Sequence, residues 1–222
     1  MPTSIDQSAA FAGEADLARF CRFASQRKKS WRYILRNIAI SIYSPKVIQS
    51  GILVGFYYQE EIQDYAIVLT RRSAKLKIHS HQMSFPGGRR EKTDTDLTAT
   101  ALRETQEEIG IAEKNIRPLG ILNALKTPTG YLIQPTLALL KVKPSAQVIN
   151  TAEVEELYLI PASLLLDPDN YQISQTRTPK LYFLPLNILE IFYKGRKIWG
   201  ATAEILYDLA SAHHAYRQKY PL

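Results

Sequence analysis

The sequence carries three glutamates that would share one face of a helix. Glu104, Glu107 and Glu108 are spaced i, i+3 and i+4, so their carboxylates project from the same side when the chain is helical. Carboxylate oxygens are the ligands that hard divalent cations such as Mg²⁺ prefer. The same spacing is common on solvated helices that bind nothing, and the surrounding residues must decide between the two interpretations.

The residues around these acids favour a helix with a buried back. The stretch 97–109 consists of good helix formers, it follows the capping types of 93–96, and Gly110 stands where a helix commonly stops. Within it, the residues that suit packing onto a sheet are Ala101, Leu102, Thr105 and Ile109. We therefore predict a helix over 97–109, with Asp94 as a candidate for its cap.

A Phe-Pro-Gly-Gly sequence precedes this helix, over 85–88. Paired glycines adopt backbone angles that other residues resist, and they let the backbone approach a ligand closely. We expect a turn here that brings a carbonyl of Gly87 or Gly88 near a cation held by the acids.

The whole stretch resembles the Nudix box, Gly-x5-Glu-x7-Arg-Glu-U-x-Glu-Glu-x-Gly-U, in which U is apolar; the matching residues are Gly88, Arg103, Glu104, Glu107, Glu108, Gly110 and Ile111. Asp94 replaces the expected Glu, and eight residues rather than seven separate it from Arg103. Thr105 occupies an apolar position of the box.

Segments outside the box resemble the coenzyme A pyrophosphatase branch of the Nudix hydrolases, whose box has the same added residue. That branch runs roughly Leu-Thr-x-Arg, His-x-Gly-Gln and Phe-Pro-Gly-Gly, and the matches are Leu69, Thr70, Arg72, Leu76, His79, Gln82, Phe85, Pro86 and Gly87. His81 stands at the family's Gly. The late segment 198–203 resembles the family's Ile-Trp-Gly-x-Thr-Ala, so the resemblance spans most of the chain from about residue 50.

The resemblance implies an α+β fold, a Nudix-type α/β/α sandwich with a mixed β-sheet between helices. Predicted strands on both sides of one acidic helix favour the same class. The implied activity is metal-dependent hydrolysis of the diphosphate of coenzyme A or acyl-CoA to 3′,5′-ADP and (acyl-)4′-phosphopantetheine, with Mg²⁺ or Mn²⁺ as cofactor. The alternatives are another nucleoside diphosphate derivative, such as ADP-ribose or NADH, and a non-catalytic Nudix-like module binding RNA. The retained acidic set argues against the module, which has no need of it.

The candidate site contains three groups of residues. We assign catalysis to Glu107, Glu104 and Arg103, with either glutamate as the general base. The candidate metal ligands are Glu104, Glu108, Glu107 and Gly88. The candidate substrate contacts are Arg72, Arg89, His79, Gln82 and Tyr131. We expect Glu153, Glu155 and Glu156, which precede a predicted strand, to be solvated.

The composition and charge of the chain limit the classes of binding partner that we expect. With 222 residues and 45% hydrophobic residues the chain suits a globular protein, and its formal net charge is +7. Cys21 is the single cysteine, no apolar run approaches a bilayer span, and the N-terminus lacks a signal peptide's pattern. We expect a cytoplasmic protein that binds a small-molecule diphosphate and neither nucleic acid nor membrane, with a homodimer left open. The basic residues that flank the box, from Arg71 to Arg90, suit a polyphosphorylated substrate.

The remaining pattern predicts the order of elements. We expect an N-terminal helical extension over 1–48, with a helix at 13–25, and one Nudix domain over 49–222. Apolar and β-branched runs predict a hairpin of strands at 50–58 and 65–71. The other predicted strands are 117–124, 131–142, 156–160, 171–174, 180–185 and 188–194, and the other predicted helices are 162–166 and 201–216.

Overall fold

Two neighbouring apolar runs form the centre of the larger sheet. They are strands β1 (Ile48–Gln59) and β2 (Asp64–Arg72), which pair antiparallel with Phe56 opposite Ile67. The hairpin prediction is therefore confirmed. Both strands are almost continuously buried, which explains why they read as apolar runs without alternation.

The computed structural model describes residues 9–28, 37, 40, 47–74, 81–145, 148–176 and 186–222. The helices with described bounds are α1 (Glu14–Gln26), α2 (Leu97–Ile109), α3 (Ala162–Leu165) and α4 (Gly200–Lys219), with 3₁₀ turns at Glu113–Asn115 and Pro168–Asn170. The strands after β2 are β3 (Met83–Ser84), β4 (Gly87–Arg89), β5 (Ile116–Ile121), β6 (Leu125–Lys126), β7 (Tyr131–Leu140), β8 (Val154–Pro161), β9 (Gln172–Thr176), β10 (Leu186–Tyr193) and β11 (Arg196–Trp199).

The larger sheet is mixed. Its strand order is β3-β2-β1-β7-β5, with β4 paired to β1, β6 to β7 and β8 to β2. Strands β1 and β7 are parallel, with Ile48 beside Tyr131, whereas the other pairings in this sheet are antiparallel. A second sheet has the order β11-β10-β9.

Helices cover both faces of the larger sheet. Successive residues of β1 face opposite sides: Val54 and Phe56 belong to a core that contains residues of α1 and α4, whereas Leu53 packs with Ala101 and Ile109 of α2. This arrangement confirms the α+β class and the α/β/α sandwich with a mixed sheet between helices.

The N-terminal segment is fixed to the C-terminal helix. Arg217 of α4 forms an ion pair with Asp16 of α1 and donates to the carbonyl of Ala10. Phe11 packs edge-on against Phe56, and its ring lies 6.0 Å from that ring. The division at residue 48 stays a prediction. Within the described residues, no helix is both long and apolar enough to cross a bilayer.

Several predicted boundaries are wrong. The expected turn at the paired glycines is instead strand β4, in which Gly88 pairs with Gly51 of β1. The strand predicted over 117–124 ends at Ile121. The short helix expected after Pro161 is confirmed as α3, with Pro161 at its N-cap and as the last residue of strand β8. Strand β11 was not predicted. The strand predicted over 180–185 lies outside the described residues.

Candidate active site

Helix α2 positions the three acids, and its ends are set by local signals. The carboxylate of Asp96 accepts a hydrogen bond from the backbone N–H of Ala99 at 2.8 Å, which caps the first turn. Gly110 ends the helix in the left-handed conformation, with φ 70°. The predicted helix over 97–109 is thus confirmed, and Asp96, not Asp94, is its cap.

Asp94 holds the catalytic candidate Arg103. Arg103 donates from Nε to Oδ1 at 3.0 Å and from Nη2 to Oδ2 at 3.1 Å. The buried carboxylate also accepts from the hydroxyl of Thr100 and from the backbone N–H of Glu91, each at 2.9 Å. The hydrogen bond from Arg103, more than any other contact, lowers the pKa of Asp94 to about 2. Asp94 therefore remains charged and fixes the guanidinium on the surface of α2.

Arg103 also bridges two of the three acids. Its Nη1 lies 3.0 Å from Oε1 of Glu104 and 3.1 Å from Oε2 of Glu107. The Glu107 side chain is 55% exposed, whereas that of Glu104 is 15% exposed. Burial raises the pKa of Glu104, and the positive charge of Arg103 opposes that rise. The guanidinium thus offsets the repulsion between neighbouring carboxylates.

Glu108 is the most deeply buried of the three. Only 3% of the residue is exposed, and its Oε2 has no hydrogen-bond partner among the described residues. Burial raises the pKa of Glu108 to about 8, and the positive charge of Arg72 and a backbone hydrogen bond from Gly87 oppose the rise. The charges of Glu104 and Glu153 add to it, which places Glu153 close to the acids. A buried carboxylate with one oxygen unpartnered is costly unless a cation or proton neutralises its charge.

The paired glycines bring backbone against the acids. A Cβ at Gly88 would lie 2.3 Å from Oε1 of Glu104, so a larger residue there would displace that carboxylate. The Gly88 carbonyl accepts from the Ser50 hydroxyl at 2.6 Å, and Gly88 lies opposite Gly51 in the β1–β4 pair. Gly87 has φ 148°, a conformation that favours glycine.

These donors fit a hard divalent cation. Glu108 supplies an unpartnered oxygen, Glu104 lies one helical turn before it, and the Gly88 backbone adjoins Glu104. In the part of the chain that the structure describes, no three Asp, Glu, His or Cys side chains already converge on one metal position. Glu107 instead faces Arg103 at the exposed side of the helix.

The arginines near the site fall into two classes. The buried Arg71 side chain forms ion pairs with Glu155 at 2.6 Å and Glu156 at 2.9 Å, because Arg71 lies opposite Glu156 in the β2–β8 pair. Glu155 and Glu156 keep side chains that are 35% and 39% exposed, in line with the expectation that they are solvated. Arg71 is instead occupied by these two ion pairs, so its expected role toward a substrate is wrong. Arg72, the next residue, forms no ion pair with any described residue, and its charge acts on Glu108.

The other substrate candidates occupy different places. Arg89 donates to the phenol oxygen of Tyr131 from Nε at 3.0 Å and from Nη2 at 2.6 Å. The carbonyl of Gln82 accepts from the backbone N–H of Arg72 at 3.0 Å. His79 lies outside the described residues. His81 has φ 60°, in the left-handed region, which explains why the similar family has glycine at that position.

Two ion pairs were not predicted from the sequence: Asp94 with Arg103, and Arg71 with Glu155. Asp94 is the residue at the box position normally held by Glu, and this match was the available signal. No local pattern joins Arg71 to Glu155, since the two residues are 84 positions apart.

Comparison with known proteins agrees with this geometry. The NUDIX domain model matches residues 54–179, more than half of the chain. The chain therefore belongs to the NUDIX domain family. Family membership supports hydrolysis of a nucleoside diphosphate derivative as its activity.

Two Nudix proteins illustrate the similarity in sequence. The uncharacterized Nudix hydrolase NudL of Photorhabdus laumondii is 36% identical over 148 residues, covering 65% of this chain and 75% of the relative. A probable nudix hydrolase of Schizosaccharomyces pombe is 35% identical over 144 residues, covering 65% of this chain and 49% of the relative. This chain thus spans about half of the length of the yeast protein.

Solved structures resemble the chain at low identity. A MutT/nudix family protein from Enterococcus faecalis aligns with a TM-score of 0.45 at 16% identity, covering 90% of this chain and 73% of that one. The NUDIX domain of Shewanella oneidensis NrtR, solved with ADP ribose, aligns with a TM-score of 0.42 at 20% identity, covering 60% of this chain and 84% of that one.

Proposed function

We propose that the protein hydrolyses the diphosphate bond of coenzyme A or acyl-CoA, releasing 3′,5′-ADP and (acyl-)4′-phosphopantetheine. Glu104 and Glu108 would hold Mg²⁺ or Mn²⁺, with the backbone of Gly88 beside Glu104. The observation that carries the proposal is the buried Glu108 carboxylate, one oxygen of which has no partner among the described residues. The charge of Arg72, which forms no ion pair with a described carboxylate, acts on it.

A bound divalent cation supplies charge neutralisation at the diphosphate and lowers the pKa of a water molecule. The chain's own residues do the rest. Arg72 is available for a diphosphate oxygen, because no described carboxylate forms an ion pair with it. Glu107 is the exposed acid of the three and accepts the proton of the attacking water as general base. Arg103, held by Asp94, keeps Glu107 directed over the helix surface.

The choice of coenzyme A rests on segments outside the box. The chain resembles the coenzyme A pyrophosphatase branch over 69–82 and again over 198–203. Support comes from a contact at the end of the first region: the Thr202 hydroxyl donates to the carbonyl of Met83, the residue that follows it, at 3.1 Å. The later segment thus lies against the end of the earlier one, although the two are far apart in sequence.

Turnover of matched diphosphates tests the proposal. Purified protein with Mg²⁺ or Mn²⁺ is assayed on coenzyme A, acetyl-CoA, ADP-ribose and NADH, with products identified by mass. We expect the highest kcat/KM for coenzyme A or its thioester, and 3′,5′-ADP among the products. Equal or faster turnover of ADP-ribose would overturn the coenzyme A assignment and leave a Nudix hydrolase of another nucleoside diphosphate derivative.

A further inference from the structure

Arg89 and Tyr131 form a preformed cationic pair at the rim of the larger sheet. The Arg89 guanidinium lies 5.3 Å from the Tyr131 ring centre, and two of its nitrogens donate to the phenol oxygen. Because that oxygen only accepts from Arg89, the phenol can still donate its own hydrogen. The pair therefore offers both a cation and a hydroxyl donor to a ligand.

The backbone on both sides of this pair is held in the sheet. Arg89 lies opposite Ser50 in the β1–β4 pair, and its carbonyl accepts from Nη2 of Arg103 at 3.0 Å. Tyr131 lies beside Ile48 in the parallel β1–β7 pair. The guanidinium and the phenol thus have fixed attachment points, which reduces the entropy lost when a ligand binds.

Within the described residues, Arg89 forms no ion pair with a carboxylate. Its neighbour Arg90 contacts only neutral acceptors, the side-chain oxygen of Gln49 and the carbonyls of Asp94 and Thr95. The Arg89 guanidinium, with no carboxylate of the described residues bound to it, makes this rim attractive to an anion.

The pair lies on the opposite face of the sheet from the acids. The Cβ positions of Gly51 and Gly88 point at Leu97 and Glu104 of α2. Side chains alternate between faces along a strand, so Ser50 and its partner Arg89 point away from α2, as Tyr131 does. The positive charge of Arg72, by contrast, acts to lower the pKa of Glu108 on α2.

The guanidiniums of Arg72 and Arg89 lie on opposite faces of one sheet, so they do not bind the same diphosphate. On the basis of the proposed function, we infer that Arg89 and Tyr131 form a second anion subsite that binds a phosphomonoester of the substrate, separate from the scissile diphosphate. In coenzyme A that group is the 3′-phosphate. ADP-ribose and NADH carry no phosphate beyond the diphosphate, so this subsite selects against them.

Turnover of coenzyme A and dephospho-coenzyme A is compared in the wild type, Arg89→Gln and Tyr131→Phe. Arg89→Gln should lower kcat/KM for coenzyme A about tenfold or more and leave dephospho-coenzyme A nearly unchanged. Tyr131→Phe should act in the same direction with a smaller effect, since the ring remains. Arg117→Gln, which breaks a distant exposed pair with Glu14, is the control. Equal losses on both substrates, or no loss on either, would overturn the inference.

A binding measurement distinguishes a failure of this inference from a failure of the proposed function. Calorimetry compares adenosine 3′,5′-bisphosphate with adenosine 5′-monophosphate in the wild type and in Arg89→Gln. We expect the wild type to prefer the bisphosphate by about tenfold or more, and Arg89→Gln to lose that preference. A wild-type preference without coenzyme A turnover would defeat the proposed function and support the subsite. Equal binding of both nucleotides by the wild type would contradict the subsite whatever the turnover.

Discussion

Arg103 and Asp94 are joined by two parallel hydrogen bonds, Nε to Oδ1 at 3.0 Å and Nη2 to Oδ2 at 3.1 Å. The pair connects helix α2 to the loop that follows strand β4. Its guanidinium then reaches Glu104 and Glu107 through Nη1. A single arginine thus ties the loop, the helix and two of the three acids together.

Replacing Asp94 by Asn should loosen this connection. The change removes the negative partner of a largely buried arginine, and we expect the free energy of unfolding to fall by about 2 kcal/mol. Turnover should also fall because Arg103 is no longer fixed. Denaturant unfolding measures the first effect. Asp96→Asn is the control, since Asn caps a helix as well as Asp does; equal losses in both variants would contradict a special role for Asp94.

The same pair predicts a pH dependence. The folded-state pKa of Asp94 is about 2, below its ordinary value of 3.8. A lowered folded-state pKa contributes stability above the unfolded value, and that stability is lost as the pH falls through the folded value. The two values correspond to about 2 kcal/mol. The stability gap between wild type and Asp94→Asn should therefore narrow between about pH 4 and pH 2. If the stability difference between the two proteins stayed constant over this pH range, the ionisation of Asp94 would not be the source of that difference.

A methyl group at Gly88 tests the backbone approach to the acids. In Gly88→Ala the new Cβ would lie 2.3 Å from the Glu104 carboxylate, a flexible side-chain end that can move aside. We expect a folded protein whose kcat falls by about tenfold or more, because Glu104 is displaced from its position. Gly55→Ala, whose Cβ would meet Leu140 at 3.1 Å, is the control on the same sheet. Unchanged turnover in Gly88→Ala would show that the position of Glu104 does not matter for the reaction.

The local features of the fold were predictable from the sequence. Helix α2 has the predicted bounds, because Asp96 and Gly110 act through contacts within one turn of the helix ends. The β1–β2 hairpin follows from two apolar runs and a short polar turn between them. Box spacing likewise placed Arg103 beside the acids.

The remaining features depend on contacts between distant parts of the chain. Strand β4 exists because Gly87–Arg89 pairs with β1, and paired glycines alone indicate only a turn. Arg71 and Glu156 meet because β2 and β8 adjoin in that register, which no local pattern specifies. For the same reason, sequence alone suggests one basic cluster of Arg71, Arg72 and Arg89, although in the structure their side chains have different partners and point in different directions.

The central claim is that the acidic face of α2 performs the chemistry, and Glu108→Gln tests it most directly. The change keeps size and helix propensity and removes one anionic oxygen from a buried position, so the melting temperature should not fall. Turnover of the best substrate at saturating Mg²⁺ should fall by about two to four decades, or on the order of 3 to 5 kcal/mol in the barrier. Glu91→Gln, at an exposed position outside the shared face, should remain near wild type. A folded Glu108→Gln protein that keeps more than about a third of wild-type turnover would contradict the claim.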